Sequence, residues 1–185
     1  MVLKTDQTLA DLMAQFPGLG RLEWIGLRPR HRGAVNAVTR AKLIAGRGIQ
    51  GDHRAEREGG KRQVTLIQHE HLAVVAALRG GKPPGPENLR RNLVVSGINL
   101  AALNKRRFRI GPCVLVGTGP CHPCSRMEEN LGPGGYNAMR NHGGITARIL
   151  IGGEISLGDE VEALGPASGT TPQPADSAQT ELPID

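Results

Sequence analysis

Two thiols three residues apart, Cys121 and Cys124 in Pro120-Cys121-His122-Pro123-Cys124, are the residues best suited to chemistry in this chain. Ser125-Arg126-Met127-Glu128 follows them, and a hydroxyl with a carboxylate three residues on is the pattern of a helix capping box. The spacing predicts a helix start that puts Cys124 at a helix N-terminus. There the partial positive charge of the helix end, with Arg126 close in sequence, would favour a thiolate. A thiolate ligates soft metals, carries sulfur or attacks electrophiles. Cys124 is therefore the candidate reactive group and the candidate metal ligand.

Other uses of the thiols stay open. A structural zinc could draw on Cys113, Cys121 and Cys124 with His122 or His142, although no second paired knuckle is present. A thioredoxin-like redox pair needs a surrounding βαβ pattern, which the sequence lacks. Plain buried thiols are the third possibility, most of all for Cys113, inside an apolar run.

Two further stretches could bind a ligand. Gly46-Arg47-Gly48-Ile49-Gln50-Gly51-Asp52-His53 has three glycines in six residues, which permits successive turns or close backbone approach. It fits neither a dinucleotide fingerprint nor a P-loop, and a plain connecting loop explains it equally well. Glu87-Asn88-Leu89-Arg90-Arg91-Asn92 runs into an apolar strand, and a guanidinium matches phosphate bidentately. Neighbours on an extended chain point opposite ways, so one of Arg90 and Arg91 is expected to face any given pocket. His53 stands beside a glycine-rich turn. His69 and His71, two apart on an expected helix, do not share a face.

The elements that must position these groups are mostly strands. Short β-branched or alternating runs occur at 21–27, 34–44, 62–67, 92–95, 108–116, 145–151 and 160–163. Helices are expected at 69–78, ended by Gly80-Gly81, and at 136–141, stopped by Gly143-Gly144. Many short strands with glycine-rich turns and few helices predict a mainly β fold, a closed or nearly closed barrel. Residues 1–19 read as a helical N-terminal extension, with apolar residues at helical spacing before Pro17. Residues 165–185, rich in Pro, Ser and Thr without periodicity, read as a disordered tail.

With only Trp24, Tyr136, Phe16 and Phe108 as aromatics, the core must be aliphatic. Three cysteines make no disulfide framework, the N-terminus lacks an apolar signal region, and no run approaches the ~18 apolar residues of a membrane span. A cytoplasmic setting without membrane contact is expected. The net charge is +6, but residues 1–164 hold 23 basic against 14 acidic residues. So basic a body points to an anionic ligand, a cofactor phosphate or nucleic acid. The scarcity of aromatics removes the stacking platforms of single-strand binders and argues against nucleic acid as the partner.

In register, the stretches GRGIQGDHRA (46–55), KRQVTLIQHEHL (61–72), ENLRRNLVVSGINL (87–100), RFRIGPCVLVGTGPCHPCSRM (107–127) and NHGGITARILIGGEISLGDEVEAL (141–164) resemble a MOSC domain. That module is named for the C-terminal part of molybdenum cofactor sulfurase, and the resemblance spans roughly residues 20–164. It implies a β-barrel-rich fold and a functional cysteine at Cys124. It also implies a molybdenum cofactor, molybdenum on a pyranopterin, with Cys124 as metal ligand or sulfur carrier.

Arg90, Arg91, Arg126 and Arg148 are then candidates for the pterin phosphate, and His53 and Asn92 for pocket lining. Related proteins reduce N-hydroxylated bases, so a small-molecule substrate of that kind is expected. The alternative is a non-catalytic carrier of sulfur or cofactor. Neither the pyridoxal-phosphate domain of the sulfurases nor the additional N-terminal domain of the amidoxime-reducing proteins is expected here, and these residues show no iron–sulfur motif. A redox or sulfur-donor protein partner is therefore implied.

Overall fold

The computed structural model describes residues 7–166. Eleven strands, β1 (Gly20–Leu27), β2 (Asn36–Val38), β3 (Arg40–Ile44), β4 (Gly48–Ile49), β5 (Val64–Gln68), β6 (Leu93–Ser96), β7 (Arg106–Ile110), β8 (Cys113–Pro120), β9 (Ile145–Ile151), β10 (Gly153–Ser156) and β11 (Glu160–Pro166), carry the fold. Four short helices accompany them: α1 (Leu9–Ala14), α2 (Glu70–Arg79), α3 (Ser125–Leu131) and α4 (Gly135–Ala138).

The strand order β11-β7-β8-β9-β5-β6-β1 closes on itself because β1 also pairs with β11, Gly20 opposite Val161. A seven-stranded closed barrel results, with β2 hung on β1 and a separate three-stranded sheet β10-β3-β4 beside it. Closure removes the open edges an antiparallel sheet would expose. The expected mainly β barrel is what the chain forms.

The aliphatic composition accounts for two apolar clusters. Leu22, Val64, Leu66, Leu93, Val95, Phe108, Leu115 and Ile149 belong to the cluster inside the barrel. Ile67 and Val94, pointing the other way, pack with Leu72, Val75, Met127, Leu131 and Met139 under a layer made by α2, α3 and α4. Cover on both faces leaves β5 and β6 without an exposed residue.

Several expectations need adjustment. The run at 108–116 is a hairpin that turns at Gly111-Pro112, with Ile110 opposite Cys113. The run at 34–44 divides at Thr39, β2 joining the barrel and β3 the small sheet. One βαβ unit does exist: β5 and β6 are parallel, which requires a crossover, and α2 supplies it before ending at Gly80 in the left-handed region. The helix expected at 136–141 is a single turn, α4.

α1 forms where the N-terminal helix was expected, with Thr8 and Asp11 in a reciprocal capping box and no buried residue. The tail expectation lies outside the described residues from 167 on, and its first two positions, Gly165 and Pro166, end β11.

Candidate functional site

A cleft of about 450 Å³ lies on the outer side of the β5–β6 wall. Val64 and Leu66 point into the barrel, and Thr65 between them lines the cleft. The start of α3 forms the facing rim through Cys124, Ser125, Arg126 and Met127. Seven arginines (Arg28, Arg32, Arg54, Arg62, Arg90, Arg91, Arg126) and three histidines (His31, His53, His122) complete much of the lining, with no carboxylate among the described residues in it.

Cys124 is the N-cap residue of α3, extended at φ −127° and ψ 175°. Its side chain makes no capping hydrogen bond and is exposed to the cleft. The expected capping box does not form. Ser125 is already helical, and the Glu128 carboxylate reaches forward, accepting from the backbone N–H of Gly134 at 2.7 Å and Tyr136 at 2.8 Å. Those two N–H groups, Tyr136 first, hold the Glu128 carboxyl below its ordinary pKa. The helix end is thus left without a side-chain cap, and the Cys124 sulfur is not committed to one.

Beneath the cleft is a buried polar network. Asp52, 3% exposed, accepts from Arg28 Nε at 3.1 Å, from Arg54 N at 3.0 Å and from Asn92 Nδ2 at 2.8 Å. Burial by itself pushes the Asp52 carboxyl up. The Arg28 charge and the N–H donors of Arg54 and Arg28 outweigh it and hold the carboxyl below the usual carboxylate range.

Asn92 accepts from Arg28 Nη2 at 3.0 Å and from Thr65 Oγ1 at 2.9 Å, and donates to the Gly26 carbonyl at 3.2 Å. His53 places Nδ1 2.9 Å from the Arg28 carbonyl. A carbonyl only accepts, so Nδ1 carries a proton and Nε2 is the nitrogen left uncommitted.

Arg91, 5% exposed, is a clamp. Nε donates to the Gly143 carbonyl at 2.8 Å, Nη1 to Leu89 at 2.8 Å and Nη2 to Cys121 at 3.3 Å. Cys121, buried, receives Arg62 Nη2 at its sulfur at 3.0 Å. Arg90 is pushed below its ordinary pKa, first by partial burial and then by the charges of Arg28 and Arg126. The rim of this cleft is positive and the thiol sits in it.

A MOSC domain family model matches residues 30–162, which contain every one of these groups except Arg28 and the Gly26 carbonyl. The chain belongs to the MOSC domain family. That family is known for binding molybdenum cofactor. Among solved structures, YuaD from Bacillus subtilis matches at TM-score 0.68 and 20% identity, over 80% of this chain and 98% of that one. YiiM from Escherichia coli matches at 0.62 and 19%, over 82% and 73%. YiiM from Geobacillus stearothermophilus matches at 0.63 and 16%, over 78% and 75%. At such identities the likeness is one of fold. No curated protein matches by sequence.

Within this MOSC domain the structure brings Cys124, Arg90, Arg91, Asn92, Arg126 and His53 to the one cleft. It does not bring Arg148 there. On β9, Ala147 and Ile149 face the barrel core, so Arg148 between them points outward and is exposed. Arg90 and Arg91 both line the cleft, against the expectation that one would. Arg90 is left-handed at φ 55° and ψ 34°, not extended, so strand alternation does not apply to the pair. Asn92 lines the cleft but spends its amide on the network.

Cys113 lies in the barrel core. Burial, with Asp159 nearby, pushes its thiol up to about 11. Among the described residues no group of three or more His, Cys, Asp or Glu stands close enough to hold a metal ion, and the zinc alternative gains no support.

Arg28, Arg54, Arg62 and Asp52 were missed as site residues. Nothing local in sequence pairs Arg28 with Asp52, 24 residues on. The signal that could have flagged Asp52 is its place in the Gly-rich stretch, where it caps the 3-10 turn His53–Glu56.

Proposed function

We propose that this MOSC protein binds molybdenum cofactor with Cys124 as the metal ligand and reduces N-hydroxylated small molecules. The observation that carries the reading is an exposed thiol in a cleft walled by guanidinium groups and free of carboxylates. The donor set fits the group. A sulfur donor suits a soft metal centre, and arginines suit a phosphate ester.

Arg90 and Arg126 are the arginines to bind that phosphate. Arg91 retains only two of its five N–H donors after binding three carbonyls, so it positions the site more than it holds the ligand. Arg28 is oriented by Asp52 and Asn92 and presents its charge from the cleft floor.

When bound, the molybdenum cofactor supplies a two-electron redox centre. The net reaction is R–NHOH + 2 e⁻ + 2 H⁺ → R–NH₂ + H₂O, with both electrons from a protein redox partner. The chain's own part is to bind, to orient and to handle a proton. With Nδ1 held by the Arg28 carbonyl, Nε2 is the atom through which His53 exchanges a proton with the cleft.

The test is molybdenum content after co-expression with cofactor biosynthesis, wild type against Cys124→Ser. Near-stoichiometric metal in the wild type and its loss in the variant support the reading. No metal in either, with a persulfide on Cys124 by mass spectrometry, replaces it with the sulfur-carrier alternative.

A further inference from the structure

A second basin of about 440 Å³ adjoins the cleft across His31, His53 and Arg54, which line both. Its other walls are Pro29, Arg30, Glu56 and Arg57. Arg54 belongs to the 3-10 turn His53–Glu56 and Arg57 ends it, its N–H donating to the Arg54 carbonyl at 3.3 Å. Residues three apart on such a turn eclipse one another, so both guanidiniums are offered from one side. Arg30 approaches from the chain beyond β1.

Exposed arginines are ordinarily just solvated. These differ in what surrounds them. Among the described residues no carboxylate lies within ion-pair distance of Arg30, Arg54 or Arg57, although Glu56 shares the basin. Partial burial, then the charges of Arg62, Arg28 and Arg57, push Arg54 below its ordinary pKa. Asp52, which opposes them, is already engaged by Arg28. Like charges gathered in a concavity and engaged in no ion pair repel one another, and a bound anion relieves that repulsion.

We infer that this outer basin is a second phosphate subsite, built by Arg30, Arg54 and Arg57 for a ligand whose remainder lies in the Cys124 cleft. The inference rests on the cofactor reading above and extends it: the complete site takes two separate phosphate groups. Two sources share that chemistry. One is a nucleotide-extended form of the cofactor; the other is a nucleotide-like, phosphorylated substrate beside the monophosphate form.

The test variant is Arg30→Gln/Arg57→Gln, two exposed positions whose side chains make no ion pair that folding would miss. Calorimetric titration of the full chain with inorganic phosphate and pyrophosphate, at fixed ionic strength, comes first. The expected result is a tenfold or greater loss of pyrophosphate affinity with phosphate binding within twofold of wild type. Equal loss of both, or loss of neither, overturns the subsite.

Mass spectrometry of pterin extracted from both proteins then separates the sources. Selective loss of the nucleotide-extended form assigns the second phosphate to the cofactor. Retention of both forms, with loss of the preference for AMP over adenosine in binding to the loaded protein, assigns it to the substrate. Retention of both forms with that preference unchanged overturns the inference. Absence of molybdenum from the wild type would sink the cofactor reading alone, because the pyrophosphate comparison does not depend on metal.

Discussion

Arg91 Nε donates to the Gly143 carbonyl at 2.8 Å and so fastens the entry to β6 to the loop that runs beneath Cys121. The approach is close enough to exclude a side chain. A Cβ on Gly143 would stand 2.1 Å from the Cys121 carbonyl oxygen and 3.1 Å from Arg91 Nη2. The next residue, Gly144, is left-handed at φ 81°, where a Cβ would lie 1.9 Å from the Leu66 carbonyl oxygen. The pair that reads as a helix stop in sequence is here a passage for backbone.

Arg91→Lys should show how much that clamp contributes. A single ammonium cannot span three carbonyls in a plane, so buried acceptors are left unmatched. We expect a loss of about 3 kcal/mol in urea unfolding, given roughly 1–3 kcal/mol for each unsatisfied buried polar group. A variant within 0.5 kcal/mol of wild type would show that the guanidinium is not a structural element.

The barrel was legible in the sequence because its signal is local. Short aliphatic runs and turn glycines report strands whichever strands they pair with. The place of Cys124 at a helix start was legible for the same reason, since Cys124 and the helix after it are neighbours in the chain. The rest of the site was not. Arg28, Asp52 and Asn92 lie 24 and 40 residues apart; the β1–β6 pairing brings Arg28 to Asn92, and the turn after β4 brings Asp52 to both. Arg148 shares the outer face of the barrel with Thr65 but stands on β9 outside the cleft lining, a placement in the tertiary structure that local sequence does not report.

Asp52→Asn should destabilise the protein and change its response to acid. The substitution leaves Arg28, whose side chain is 11% exposed, without its counter-ion. Breaking such a pair from one side costs about 3 kcal/mol. Because the native Asp52 pKa is lowered, its contribution is present above the ordinary carboxylate pKa and is lost as pH falls through the native value. Urea unfolding across pH should therefore show wild type and variant converging toward strong acid. Parallel curves would mean that Asp52 is not the group titrating.

Cys121 and Cys124 should separate in a metal assay. Cys121 is 2% exposed, lies outside the cleft lining and is held by Arg62 at its sulfur. Cys121→Ser keeps an acceptor for Arg62 and should retain molybdenum close to the wild-type level, whereas Cys124→Ser should not. Equal loss in the two variants would make both thiols part of the metal site.

The last prediction concerns acid sensitivity away from the cleft. His71 of α2 and His142, just past α4, meet edge to face with ring centroids 5.0 Å apart, and Nδ1 of each is buried without a hydrogen-bond partner. Burial first, and then His142, lowers the His71 pKa; Glu70 and the His142 backbone oppose the shift. A native pKa below the unfolded one means that the unfolded chain binds more protons across the interval between them. Stability therefore falls as pH falls through that interval, which begins at about 6.5, the ordinary histidine value.

His71→Gln keeps a neutral polar side chain and should flatten this part of the stability profile. His142→Gln removes the second cause but not the burial, so it should shrink the drop without abolishing it. Thermal unfolding of the three proteins between neutral pH and the onset of carboxylate titration reads the difference. If His71→Gln follows the wild type throughout, the ring pair does not couple the α2–α4 contact to pH.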